Sequence, residues 1–159
     1  MVGELLGAED PVAGIAQTGD DIGVIVQLFV HGSQIHIHVR MSFLHSLAAL
    51  GAERVVITGI PVIKGEKTTV TTAALDLSPT SLDRAPFYVS LPRLDARYHG
   101  TGELFASVLL GRLLNGYGFS ATVSAASAFV RDVIDYSSIF DTPFREGIAL
   151  EPCLRKLMK

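Results

Sequence analysis

The pattern of apolar and polar positions divides the chain near residue 40. Before that point it is irregular. Residues 5–21 are rich in Gly, Ala and Asp, contain Pro11, and show little periodicity. Residues 24–30 form a short apolar run, as a buried strand would. Ile35-His36-Ile37-His38-Val39 alternates strictly, which suits a half-buried strand. From Met41 onward the order improves. Phe43, Leu44, Leu47 and Leu50 recur at helical spacing, and Gly51 stands where a left-handed C-terminal cap is wanted. Arg54-Val55-Val56-Ile57-Thr58 follows, a β-branched run ended by Gly59 and typical of a buried parallel strand. Helix, glycine and buried strand in succession are the signature of an α/β unit.

Residues 67–76, dense in threonine and alanine, predict a strand with a polar face, and residues 87–91 predict another, stopped by Pro92. Gly65-Glu66 and Ser78-Pro79 supply turns. Gly100-Thr101-Gly102 then leads into an almost wholly apolar helix, residues 103–114, closed near Asn115-Gly116. A helix apolar all round is normally buried. Ser120 can cap a further helix, with Val123, Ala126 or Ser127, Val130 and Val133 or Ile134 on one face. A last short helix over about residues 150–158 starts near Pro152. The expectation is a three-layer α/β domain, with residues 54–58 as a central parallel strand and residues 103–114 buried against the sheet.

Composition adds limits. A chain of 159 residues can bury a core of its own. With 48% hydrophobic residues, 18% charged residues and a mean hydropathy of +0.40, it is apolar for its size. Such a chain is expected to cover its surplus apolar surface with a partner or a second copy. The net charge of -3 and scattered Lys and Arg give no basic footprint for nucleic acid. No apolar run approaches the roughly 20 residues that span a bilayer. Met1-Val2-Gly3-Glu4 lacks the basic start of a signal peptide, so no membrane partner and a cytoplasmic location are expected. Cys153 is the only cysteine, which excludes a disulfide framework and reads as a small apolar residue on the terminal helix. His36 and His38, two apart, would share one strand face and could hold a metal with His31 or His45. No third ligand is evident, and exposed strand histidines are the plainer reading; no metal site is assigned.

Chemistry concentrates in His99-Gly100-Thr101-Gly102-Glu103. Two glycines bracket a threonine where a loop turns into a helix. Glycine lets backbone approach a ligand closely, and a helix start offers N–H groups and the positive end of a dipole to phosphate oxygens. A carboxylate follows in the first turn. An anion cradle beside a base is what phosphoryl transfer to an alcohol requires. Alone, the same string also suits a structural helix-entry turn.

Its surroundings weight the choice. Tyr98-His99-Gly100-Thr101-Gly102-Glu103-Leu104-Phe105-Ala106, with the helix that follows to Leu114, closely resembles the anion-hole motif of pyridoxal and pyridoxamine kinases, members of the ribokinase-like superfamily. Leu50-Gly51-Ala52-Glu53-Arg54-Val55-Val56-Ile57-Thr58-Gly59 resembles that family's helix-to-strand passage. Pro143-Phe144-Arg145-Glu146-Gly147-Ile148-Ala149-Leu150-Glu151 resembles the tail of its bacterial pyridoxamine kinases. The three matches fall in family order. The resemblance implies a ribokinase-like three-layer sandwich, present as its C-terminal half: a diverged or truncated segment over residues 1–40 and an ATP-binding part over residues 41–159. It implies ATP and Mg2+ as cofactors and phosphorylation of a B6 vitamer at its 5'-hydroxymethyl group, impaired in this chain alone. Gly100, Thr101 and Gly102 would cradle the transferring phosphate, Thr58 would touch the nucleotide phosphates, and the helix over residues 120–134 would wall the adenine pocket.

Two departures qualify this. Where the family has aspartate as general base, this chain has Glu103, one methylene longer; it is either a displaced base or a helix-start carboxylate suited to the dipole. The family's vitamin pocket and the Asn-x-x-Glu-type element that helps hold magnesium are not found in residues 1–40, so a truncated, frame-disrupted or diverged chain is expected. The missing strands would leave an apolar sheet edge and face uncovered, and self-association as a homodimer is the expected cover. Two other functions remain open: a catalytically inactive nucleotide-binding or interaction module, and a sibling kinase for hydroxymethylpyrimidine or a sugar.

Overall fold

A computed structural model describes residues 13–17, 24–29, 37–96, 98–140 and 147–157, with side chains from Phe43 onward. The elements are β1 (Ala13–Gln17), β2 (Val24–Phe29), α1 (Ile37–Ala48), β3 (Arg54–Lys64), β4 (Lys67–Asp76), β5 (Phe87–Pro92), α2 (Thr101–Leu114), α3 (Phe119–Ile139) and a short 3-10 helix, Glu151–Lys156. They fall into two compact units, Met1–Ser90 and Leu91–Lys159.

The first unit is built on a mixed sheet of order β1-β2-β3-β4-β5. β1 and β2 are antiparallel, β2 and β3 parallel from Ile25↔Arg54 to Phe29↔Thr58, and β3 and β4 antiparallel. Residues 54–58 therefore hold the central place expected of them, but are parallel on one side only. Val55 and Ile57 are buried among Leu44, Leu47, Ala73 and Leu75, with α1 packed over β3 and β4. Val56 and Ala74 on the opposite face are buried as well. This two-sided burial is what the continuous β-branched run demands.

β3 does not stop at Gly59. The register shifts between Ile57↔Ala73 and Ile60↔Thr71, so Thr58 and Gly59 together oppose Thr72. Gly59 has φ 75°, the left-handed geometry that makes such a bulge accessible. The extra residue shifts the strand's alternation by one, and Ile60 falls on the same face as Val55 and Ile57. Pro61 follows where the β2 ladder has ended, a place that tolerates a residue without an N–H. A glycine-first two-residue turn, Gly65-Glu66, closes the hairpin. Arg54 Nε lies 3.4 Å from Asp76 Oδ1 on the facing strand, a cross-strand ion pair that anchors the ladder's other end.

Further expectations are corrected. Residues 37–39 open α1 instead of forming a strand, because a five-residue alternation is too short to fix a period and joins the helical spacing of Phe43, Leu44 and Leu47. Thr71 to Leu75 are all buried, so β4 carries no polar outer face there. Ser120 does not cap α3: the helix begins one residue earlier at buried Phe119, with Gly118 as its N-cap and no side-chain cap.

In the second unit α2 packs against α3. α2 is one-sided, not apolar-buried all round: Gly102, Leu104, Phe105, Val108 and Leu109 are buried, while Glu103, Ser107 and Leu114 are exposed. Val123, Ala126, Ser127, Phe129 and Val133 form the buried face of α3. The terminal helix is 3-10, begins with Pro152 in its first turn, and buries Cys153 as a free thiol.

Candidate functional site

Gly100 is the N-cap of α2, with φ 86° and ψ -1°. A residue with a Cβ adopts that conformation only at a cost, so the glycine is what lets the loop turn directly into the helix. Its carbonyl accepts the first helical bond, from the Leu104 N–H at 3.0 Å. No side chain caps this helix, and its first turn meets an incoming ligand with backbone and dipole alone. Thr101 is half-buried, Gly102 is buried, and Glu103 is exposed at the third position. Glu103 places its charge at the positive end of α2, and its backbone carbonyl accepts from the Ser107 hydroxyl at 2.8 Å.

Thr58 stands on the last rung of the parallel β2–β3 ladder, at the bulge. Its residue is 6% exposed, and its Oγ1 is buried with no hydrogen-bond partner among the described residues. A buried hydroxyl without a partner is costly, which marks it as a group that a ligand or ordered water would satisfy. In open α/β sheets ligands gather beyond the C-terminal ends of parallel strands; Thr58 stands where the parallel pairing with β2 ends, while β3 itself runs on to Lys64. Thr58 belongs to the first unit; residues 100–103 are contiguous in the second.

Other candidates resolve as follows. His31, His36, Arg145 and Glu146 lie outside the described residues; His38 lies in α1, and His45 is exposed in its last turn. Among the described residues no group of three or more His, Cys, Asp or Glu could hold a metal ion. Among them, no helix is long and apolar enough to cross a membrane. A cleft of about 410 Å³ opens on the C-terminal half of α2, lined by Val108, Gly111, Arg112, Asn115, Tyr117 and Leu157. Its character comes from the Arg112 guanidinium stacked 4.1 Å over the Tyr117 ring. It lies at the end of the helix where the dipole disfavours phosphate, whereas residues 100–103 lie at the end that favours it. Sequence reading took Gly59 as the end of a strand and gave no role to Ser137; the two shape the bulge and the second unit's tail. Only the glycine after a β-branched run hinted at the first.

No protein-family model and no curated protein sequence matches the chain significantly. Solved structures do. A Bacteroides thetaiotaomicron protein assigned as a phosphomethylpyrimidine kinase matches with a TM-score of 0.70 and 26% identity, over 80% of this chain and 42% of its own. The same protein in a crystal form with pyridoxal gives a TM-score of 0.69 at 26% identity, over 80% of this chain and 43% of its own. Pyridoxal kinase from Lactobacillus plantarum gives 0.62 at 25% identity, over 80% and 42%. The chain carries part of a pyridoxal kinase-like fold. That fold is ribokinase-like, and the chain spans well under half the length of these neighbours. Within the pyridoxal kinase-like fold, the glycine-bracketed entry to α2 is the feature whose geometry suits phosphate.

Proposed function

We propose that the chain forms the ATP-phosphate-binding part of a kinase that phosphorylates a B6 vitamer (pyridoxal, pyridoxamine or pyridoxine) at its 5'-hydroxymethyl group, acting in the cytoplasm as a homodimer. The observation that carries this reading is the left-handed Gly100 opening α2, with a carboxylate in the helix's first turn, in a chain with a pyridoxal kinase-like fold. A neighbour solved with pyridoxal supports the choice of vitamer.

In this reading the N–H groups at the start of α2 and its dipole hold the γ-phosphate and stabilise the charge that spreads over its oxygens during transfer. Gly102 keeps side-chain atoms out of that space. Considered by itself in the first unit, the buried Thr58 hydroxyl is a candidate donor to a phosphate oxygen. Glu103 accepts the proton of the vitamer's hydroxyl as its oxygen attacks the γ-phosphorus and ADP departs. Mg2+ carried by the nucleotide would supply charge neutralisation on its phosphates. Among the described residues no group of three or more His, Cys, Asp or Glu could hold the ion.

Two observations favour alternatives. The chain covers 42% of its neighbours and carries glutamate where the family has aspartate, which favours an inactive nucleotide-binding module. A neighbour assigned as a phosphomethylpyrimidine kinase favours hydroxymethylpyrimidine as the acceptor. Incubating the purified chain with Mg-ATP and pyridoxal, pyridoxamine or hydroxymethylpyrimidine separates the three. ADP and pyridoxal 5'-phosphate are expected at an impaired rate, since the chain spans 42% of its neighbour and carries Glu103; turnover of hydroxymethylpyrimidine alone would move the substrate, and ATP binding without turnover of any would leave the inactive module.

A further inference from the structure

Residues 147–150 run beside the loop that opens α2. Gly147 has φ 76°, and a methyl placed on it would stand 3.6 Å from the carbonyl oxygen of His99, the residue just before Gly100. Two residues further on, the Ala149 N–H donates to Ser137 Oγ at 2.9 Å. Ser137 is 0% exposed on α3, and its hydroxyl donates in turn to the Val133 carbonyl at 2.7 Å. One end of the segment is thus tied into α3, and the other lies on the backbone that leads into the cradle. α3 itself packs against α2. Loop, segment and the two helices close into a ring.

We infer that Gly147 and Ser137 are positioning residues for the anion cradle: the segment they hold fixes the backbone at His99 and Gly100 in the orientation that aims the first N–H groups of α2. The inference rests on the reading that residues 100–103 take nucleotide phosphate. Donors that bind an anion must be set before it arrives, since each degree of freedom they lose on binding weakens affinity. Gly100 is needed for the turn but leaves the loop soft, because glycine has the widest backbone freedom. The segment behind it supplies the missing stiffness. At Gly147 any other residue is strained by the left-handed backbone, and its methyl would meet the His99 carbonyl at ordinary contact distance. Relief of that strain shifts the segment, the loop, or both.

Gly116 supplies the control. It has φ 80°, lies just past the C-terminal end of α2, and has nothing within 4 Å of its missing side chain. Alanine there carries the same backbone strain, far from the cradle. The test is titration of ATP into the full chain as wild type, Gly147→Ala, Gly116→Ala, Ser137→Ala and Ser137→Thr, with thermal melting recorded for each. Gly147→Ala is expected to bind ATP about tenfold more weakly than wild type. Gly116→Ala should lose comparable melting temperature yet keep its affinity within about twofold. Ser137→Ala should weaken binding, and Ser137→Thr, which keeps the hydroxyl, should restore it; this pair decides the matter if Gly147→Ala does not fold. Wild-type affinity in Gly147→Ala or Ser137→Ala, or an equal loss in Gly116→Ala, overturns the inference. A wild type that does not bind ATP overturns the cradle itself and the inference with it.

Discussion

Glu103 occupies the third position of α2, exposed, beside the helix start that suits phosphate. Aspartate in that place would hold its carboxylate about one bond, ~1.5 Å, closer to the backbone. Misplacement of about 1 Å can cost on the order of 10²-fold in rate. A base acts in the transition state and adds little to ground-state binding. Glu103→Gln should therefore lower turnover by about 10²-fold or more while leaving ATP affinity unchanged, and Glu103→Asp should raise turnover. Steady-state rates with pyridoxal and calorimetric ATP affinities, measured on the same preparations, check both statements. If the carboxylate only complements the dipole, Glu103→Gln costs a few tenths to about 1 kcal/mol of stability and the rate does not move. The helix entry at residues 100–102 could be read from its glycines, but the string alone suits a structural turn as well, and only the flanking resemblance weights it towards phosphate. The tail's part could not. Gly147 and Ser137 are ten residues apart, and only the fold brings the tail beside His99.

Elements followed the sequence where burial fixed their period. β4 and β5 lie where the β-branched and aromatic runs put them, and Gly51 and Gly116 close α1 and α2 with positive φ. The failures have physical causes. The alternation at residues 35–39 was too short to outweigh the helix that follows, and β3 ran past its glycine because a bulge let it. A bulge is hard to foresee in a single strand, since it is defined by two residues facing one on a neighbour. Gly59 carries a testable consequence. Valine there would have to adopt φ 75° or undo the register shift that turns Ile60 into the α1 core. Gly59→Val should destabilise the chain by at least about 1–2 kcal/mol, seen as a lower urea midpoint. An unchanged midpoint would show that the bulge is not needed to hold Ile60.

For the whole molecule, the share of the fold it contains sets the expectation. The chain spans about 42% of the solved kinases it resembles, and it exposes Leu50, Ile63, Leu82 and Tyr88 in its first unit alone. Among the described residues β5 ends the sheet with a single strand neighbour, and an edge of that kind invites pairing. A dimer is therefore expected in solution, and light scattering should give twice the mass of the 17.0 kDa chain. A stable monomer at high concentration would count against self-association, though not against the phosphate site. That site is the centre of the account, and calorimetric titration of Mg-ATP into wild type and Gly102→Val tests it most directly. Wild type should bind, and Gly102→Val, folded by circular dichroism, should not, because the added side chain fills the space beside the first turn of α2. Equal ATP affinity in the two proteins would contradict the placement.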